Sequence, residues 1–144
     1  MNAPHTRTRY ADPLQAPGTE ERLWPALPEA RLPRGGRVVV AAAHPDDEVL
    51  GFGGAISLLA GAGSDLTVVA VTDGEGSHPA ARAVTPAAMA RRRAEERRAA
   101  LRELGAPDAG IVRLGVPDTR VARHERAVAR ALAPLLPGAA LLAA

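Results

Sequence analysis

The sequence has no cysteine, no lysine and only three aromatic residues (one Trp, one Tyr and one Phe) among its 144 residues. Without cysteine there are no disulfides and no thiolate metal ligands, so any metal must be held by His and carboxylate. The missing cysteines do not fix the compartment. Scarce aromatics leave Ala, Val and Leu to fill the core, and 32 residues are Ala. Small side chains bury little area each, so helices and sheet must approach closely to compensate. All 18 basic residues are Arg, which reads as a composition signature rather than as function. The net charge of +2 is too balanced to argue for nucleic acid by itself. No apolar run reaches the length of a membrane span, and Met1–Arg7 has no signal-peptide core. A soluble, cytoplasmic protein is the expectation.

What is present organises itself around Ala43-His44-Pro45-Asp46-Asp47-Glu48. The continuously apolar run Arg37–Ala43 predicts a strand covered on both faces. The strand thus delivers one imidazole and three carboxylates to the edge where α/β proteins place their ligands. His44 and Asp47, three residues apart, can meet on one divalent metal, leaving Asp46 for proton transfer. The competing reading is that the acidic residues only cap the following helix. Capping, however, does not ask for the imidazole. A nucleotide-binding loop is the competing idea for Gly51-Phe52-Gly53-Gly54, but the pattern is not G-x-G-x-x-G and the acidic cluster would repel a pyrophosphate.

The pattern after the hexapeptide alternates helix and strand. A helix is expected over Leu50–Ala62, with Leu50, Ile56, Leu59 and Ala60 inward and the glycines allowing close approach. A second strand, Leu66–Val71, ends in Thr72-Asp73-Gly74-Glu75-Gly76. Asp73 and Glu75 thereby join the crevice; Asp73 either orients a metal ligand or caps a turn. His78 lies in the loop that follows. Pro86–Leu104 is the clearest helix, opened by Pro86 and closed by Gly105. Its six Arg and three Glu from Arg91 onward read as a solvated, salt-bridged face. A nucleic-acid helix is the alternative, against which the interleaved Glu and missing aromatics count. One Arg near its start can reach the crevice. Ile111–Leu114 is a third strand leading to Asp118, and Val121–Leu136 a third helix, with His124 at the surface and Pro137-Gly138 as its breaker. A fourth strand starts at Ala139. The fold expected is α/β: a Rossmann-like three-layer sandwich with a mainly parallel sheet, incomplete at its C-terminal end. Residues 1–36, with six of the 13 prolines, read either as an irregular arm that packs Trp24 and Leu27 onto the domain at 37–144 or, over the first 20 residues, as a disordered tail.

Ala43–Glu48 resembles the signature of the PIG-L/LmbE-like zinc-dependent N-deacetylases. Thr72-Asp73-Gly74-Glu75, Arg93-x-x-Glu96 followed by Leu104-Gly105, and Leu114-Gly115 with Asp118 resemble that family's later motifs, in order. The resemblance implies hydrolysis of an N-acetyl group from an N-acetylglucosamine-type sugar. It implies Zn2+ as cofactor, with His44 and Asp47 as ligands, and Asp46 as the base that activates water. It also implies that Arg93 and Asp118 contact the sugar, while Glu48 supports the loop or its helix; Asp73 and Glu75, read from their place in the crevice and not from the resemblance, would support the ligands from behind. The implied partner is a small N-acetylated sugar or glycoconjugate, with no nucleic acid and no membrane span. In the family, the third zinc ligand is a His after the fourth strand, with a further His downstream for the oxyanion or proton. The sequence stops before that loop, and neither His78 nor His124 matches those positions. The expectation is a partial domain. The competing reading is a non-catalytic carbohydrate-binding module or an inactive fragment lacking the third ligand.

Overall fold

The computed structural model describes residues 31–76 and 84–143, without the side chain of Leu142. Trp24, Leu27 and His78, and the arm as far as residue 30, lie outside the described residues.

Strand β1, Arg37–Ala42, is buried from its second residue onward, as its unbroken apolar run requires. It pairs in parallel with β2, Asp65–Ala70, and on its other side with β4, Ala139–Ala143. Strand β3, Gly110–Arg113, adds in parallel to the far side of β2, giving the order β3-β2-β1-β4. The chain therefore steps twice in one direction and then returns past β1, which makes the gap between β1 and β4 the topological switch point. With right-handed crossovers, α1 (Asp47–Gly61) and α2 (Pro86–Glu103) share one face, and α3 (Glu125–Leu132) takes the other. Among the described residues, no helix is long and apolar enough to cross a membrane.

The core lies under α1 and α2. Val38 and Val40 of β1 and Leu66 and Val68 of β2 pack with Ile56, Leu59, Leu101 and Ala106. The contributing helices end alike. Gly63 and Gly105 adopt positive φ. Ser64 N donates to Leu59 O and Gly63 N to Ala60 O; Ala106 N donates to Leu101 O and Gly105 N to Arg102 O. These are paired Schellman closures, which only a residue tolerant of left-handed backbone accommodates cheaply. At its start, α2 has Thr85 as N-cap, whose side chain accepts from Ala88 N, followed by Pro86.

Four expectations change. Helix α1 starts at Asp47 rather than Leu50, so two of the acidic residues sit inside its first turn. Leu50 is 83% exposed, not inward. At 100° per residue it stands about 120° around the helix from Ile56, and the inward line runs through Glu48, Gly53, Ile56 and Leu59 instead. Gly51 and Gly54 are exposed. Gly53 faces Leu104 with ordinary room for a methyl group, so close approach does not demand these glycines. The third helix is shorter than the expected Val121–Leu136: a 3-10 turn fills Val121–Arg123, and α3 ends at Leu132. Pro134 lacks the N–H that would bond back to Arg130 O, and it ends the helix before Pro137 does.

Candidate active site

Sheet hydrogen bonding continues beyond the ends of the strands. Val71 N donates to Ala42 O, Thr72 N and Oγ1 to Ala43 O, Leu114 N to Ala70 O and Val116 N to Val71 O. Three consecutive chain segments are thus held abreast at the carboxyl edge. They carry His44–Glu48, Asp73–Gly76 and Pro117–Thr119 to one place.

There a cleft of about 310 Å³ is lined by His44, Pro45, Asp46, Gly74, Gly76, Arg93, Asp118 and Thr119. His44 has a carboxylate at each nitrogen: Nδ1 lies 3.5 Å from Asp47 Oδ2 and Nε2 lies 3.2 Å from Asp118 Oδ1. Asp47 Oδ2 also accepts from the backbone N of His44 at 2.8 Å, which closes the turn. Asp118 is almost fully buried. It accepts from Gly76 N at 3.1 Å and from Thr119 N at 2.8 Å, while its own N donates to Glu75 Oε1 at 2.8 Å. Glu75 thereby ties the second segment to the third.

Asp46 is set apart. Its φ of 97° is a left-handed conformation that a side chain adopts only at a cost of about 1–3 kcal/mol. Although it occupies the N-cap position of α1, its side chain makes no cap hydrogen bond. Its carbonyl accepts from Val49 N and Leu50 N, both at 2.9 Å. The carboxylate is left facing the cleft, with Arg93 Nη1 at 3.9 Å and half of its surface exposed. Arg93 also holds Glu96 Oε2 at 3.2 Å. Pro45 packs so tightly on Gly74 (φ 67°) that a Cβ there would come within 2.7 Å of the ring.

Of the residues singled out by sequence, His44, Asp46, Arg93 and Asp118 line one cleft, Asp47 flanks His44, and Glu75 holds Asp118 from behind. Asp73 points elsewhere, accepting from Arg113 Nε at 2.8 Å. That carboxylate, through the hydrogen bond first and its charge second, raises the Arg113 guanidinium above its ordinary pKa. Glu48 is fully buried and bonded by its Oε1 to Arg97 Nε at 2.7 Å. Arg97 carries no signal in the sequence beyond standing one helical turn after Arg93. Three of the six arginines of α2 from Arg91 onward, Arg92, Arg93 and Arg97, are thus engaged in ion pairs.

A catalytic zinc takes three protein donors and keeps one position open. His44 and Asp47 offer an imidazole and a carboxylate, the right chemistry for two of them. Among the described residues, no group of three or more His, Asp or Glu is arranged to hold a metal. These residues alone do not complete a zinc site.

The sequence profile of the PIG-L family, described as GlcNAc-PI de-N-acetylase, matches residues 39–140. The chain belongs to the PIG-L family. Among solved structures it is similar to the N,N'-diacetylchitobiose deacetylase of Pyrococcus horikoshii, at 28% identity and a TM-score of 0.52, over 62% of this chain and 34% of that one. It is also similar to GalB, the 4-carboxy-2-hydroxymuconate hydratase of Pseudomonas putida, at 26% identity and a TM-score of 0.56, over 69% and 43%. The conserved protein TT1542 of Thermus thermophilus matches at 30% identity and a TM-score of 0.50, over 68% and 42%. No curated protein matches the sequence. The chain thus spans between 34% and 43% of the length of these solved relatives.

Proposed function

We propose that this PIG-L chain carries the base and two metal ligands of a zinc-dependent deacetylase acting on an N-acetylglucosamine-type sugar. The observation that carries the reading is the turn itself. His44 and Asp47 stand side by side, and between them Asp46 holds a carboxylate free of any capping bond, in a strained conformation, over the cleft. Strain of this kind persists where the surroundings impose it, and it is concentrated at functional sites.

An amide carbonyl is a poor electrophile and water a poor nucleophile. Zinc, when bound by His44, Asp47 and a third donor from outside the described residues, supplies Lewis acidity and lowers the pKa of water. Asp46 accepts the proton as water attacks the carbonyl carbon. Asp118 keeps His44 oriented through Nε2, the usual task of a carboxylate behind a metal-ligating imidazole. In this reading Arg93 donates to a sugar hydroxyl while balancing Asp46, which its Nη1 approaches to 3.9 Å.

The hydratase neighbour supports a second reading, addition of water to a carbon–carbon double bond. The charge in the cleft favours the first. Its lining sets Asp46 and Asp118 against Arg93 alone, a poor host for a polycarboxylate and a suitable one for a neutral sugar. The test incubates the full chain with zinc and N-acetylglucosamine derivatives and measures released primary amine. Turnover that is lost with a chelator and restored by zinc supports the reading. A chain that binds no zinc and releases no amine contradicts it.

A further inference from the structure

Asp46 and Arg93 sit on different elements, and neither fixes the other at 3.9 Å. The conformation of Asp46 depends on the amides of Val49 and Leu50, which hold its carbonyl and belong to the first turn of α1. Where that turn sits decides where Asp46 points. Glu48 lies in the same turn with its side chain wholly buried, and it reaches Arg97 of α2, itself 2% exposed. Arg97 follows Arg93 by one helical turn, so the two arginines leave the same face of α2. One buried ion pair therefore links the first turn of α1 to the stretch of α2 that carries Arg93.

The pair is an odd choice if its task is only to fill space. Glu48 Oε2 and Arg97 Nη2 are buried without a hydrogen-bond partner among the described residues. Apolar side chains of the same volume would leave no such orphans, and buried ion pairs are often replaceable in this way without loss of stability. What an apolar contact does not provide is direction. A bond from Nε to a carboxylate oxygen sets the rotation and register of one helix against the other.

We propose that Glu48 and Arg97 are positioning residues whose buried ion pair imposes the left-handed conformation of Asp46 and aligns Arg93 with it; the catalytic meaning of this alignment rests on the deacetylase reading. Replacing both partners by apolar residues separates positioning from stability. In the full chain, Glu48→Leu combined with Arg97→Met is expected to melt near the parent temperature and to keep the amide protection of β1 and β2. Hydrogen exchange at Val49 and Leu50, which reports the turn directly, is expected to accelerate at least tenfold. Turnover of an N-acetylglucosaminide is expected to fall at least tenfold in kcat, with KM within twofold. If the double variant does not fold, Glu48→Gln, which keeps the volume and removes the charge, is expected to accelerate the same two amides several-fold. Parent-like exchange at Val49 and Leu50 in either folded variant overturns the proposal. A parent chain without deacetylase turnover fails the functional reading alone, since the exchange measurement decides the positioning claim independently.

Discussion

Helices α1 and α3 flank the same parallel sheet and differ in what they bury. Helix α1 encloses Glu48, Gly53, Ile56 and Leu59, whereas α3 buries no residue. Helix α1 is also the element that begins inside the candidate site. The side of the sheet that carries the apolar cluster of Ile56, Leu59 and Leu101 thus also supplies the rigid footing for Asp46. A strained residue needs such footing, because its cost is borne only where the surroundings over-determine it. Helix α3 carries no site residue.

The largest loss of stability is expected at Arg97. Changing Arg97→Met alone leaves the Glu48 carboxylate buried and uncompensated, and a loss of about 3–5 kcal/mol in unfolding free energy is expected by chemical denaturation. A loss below about 1 kcal/mol would mean that Glu48 escapes to solvent and that the first turn of α1 is not fixed. A matched pair of truncations sharpens the contrast. Ile56→Ala, in α1, should cost about 2–5 kcal/mol. Val128→Ala, in α3, should cost under about 1 kcal/mol in the same assay. Equal losses would erase the asymmetry between the two faces.

The order of strands and helices was legible because each element carries a local signal. The apolar run of β1, Pro86 at the start of α2 and the glycine stop at Gly105 act within a few residues. The hexapeptide was legible for the same reason: His44 and Asp47 meet through a turn of their own making. Leu50 was misplaced because a helix begun three residues late assigns the inward face by apolarity, while the actual inward line includes a glutamate. The Glu48–Arg97 bond spans 49 positions and leaves no periodic trace. The left-handed backbone of Asp46 was equally hidden, since nothing about aspartate demands it and only the assembled surroundings impose it. Asp118 could be placed at a strand edge from sequence. Its bonds to Gly76, Glu75 and His44 depend on the segments lying abreast.

Everything proposed for this site turns on Asp46 as the base of the reaction. The most direct measurement is amine release from an N-acetylglucosamine derivative by the zinc-loaded full chain and by its Asp46→Asn variant. The variant is expected to lose about 100-fold or more in kcat with unchanged folding, the usual scale for loss of a general base. Full turnover by a folded Asp46→Asn variant would contradict it.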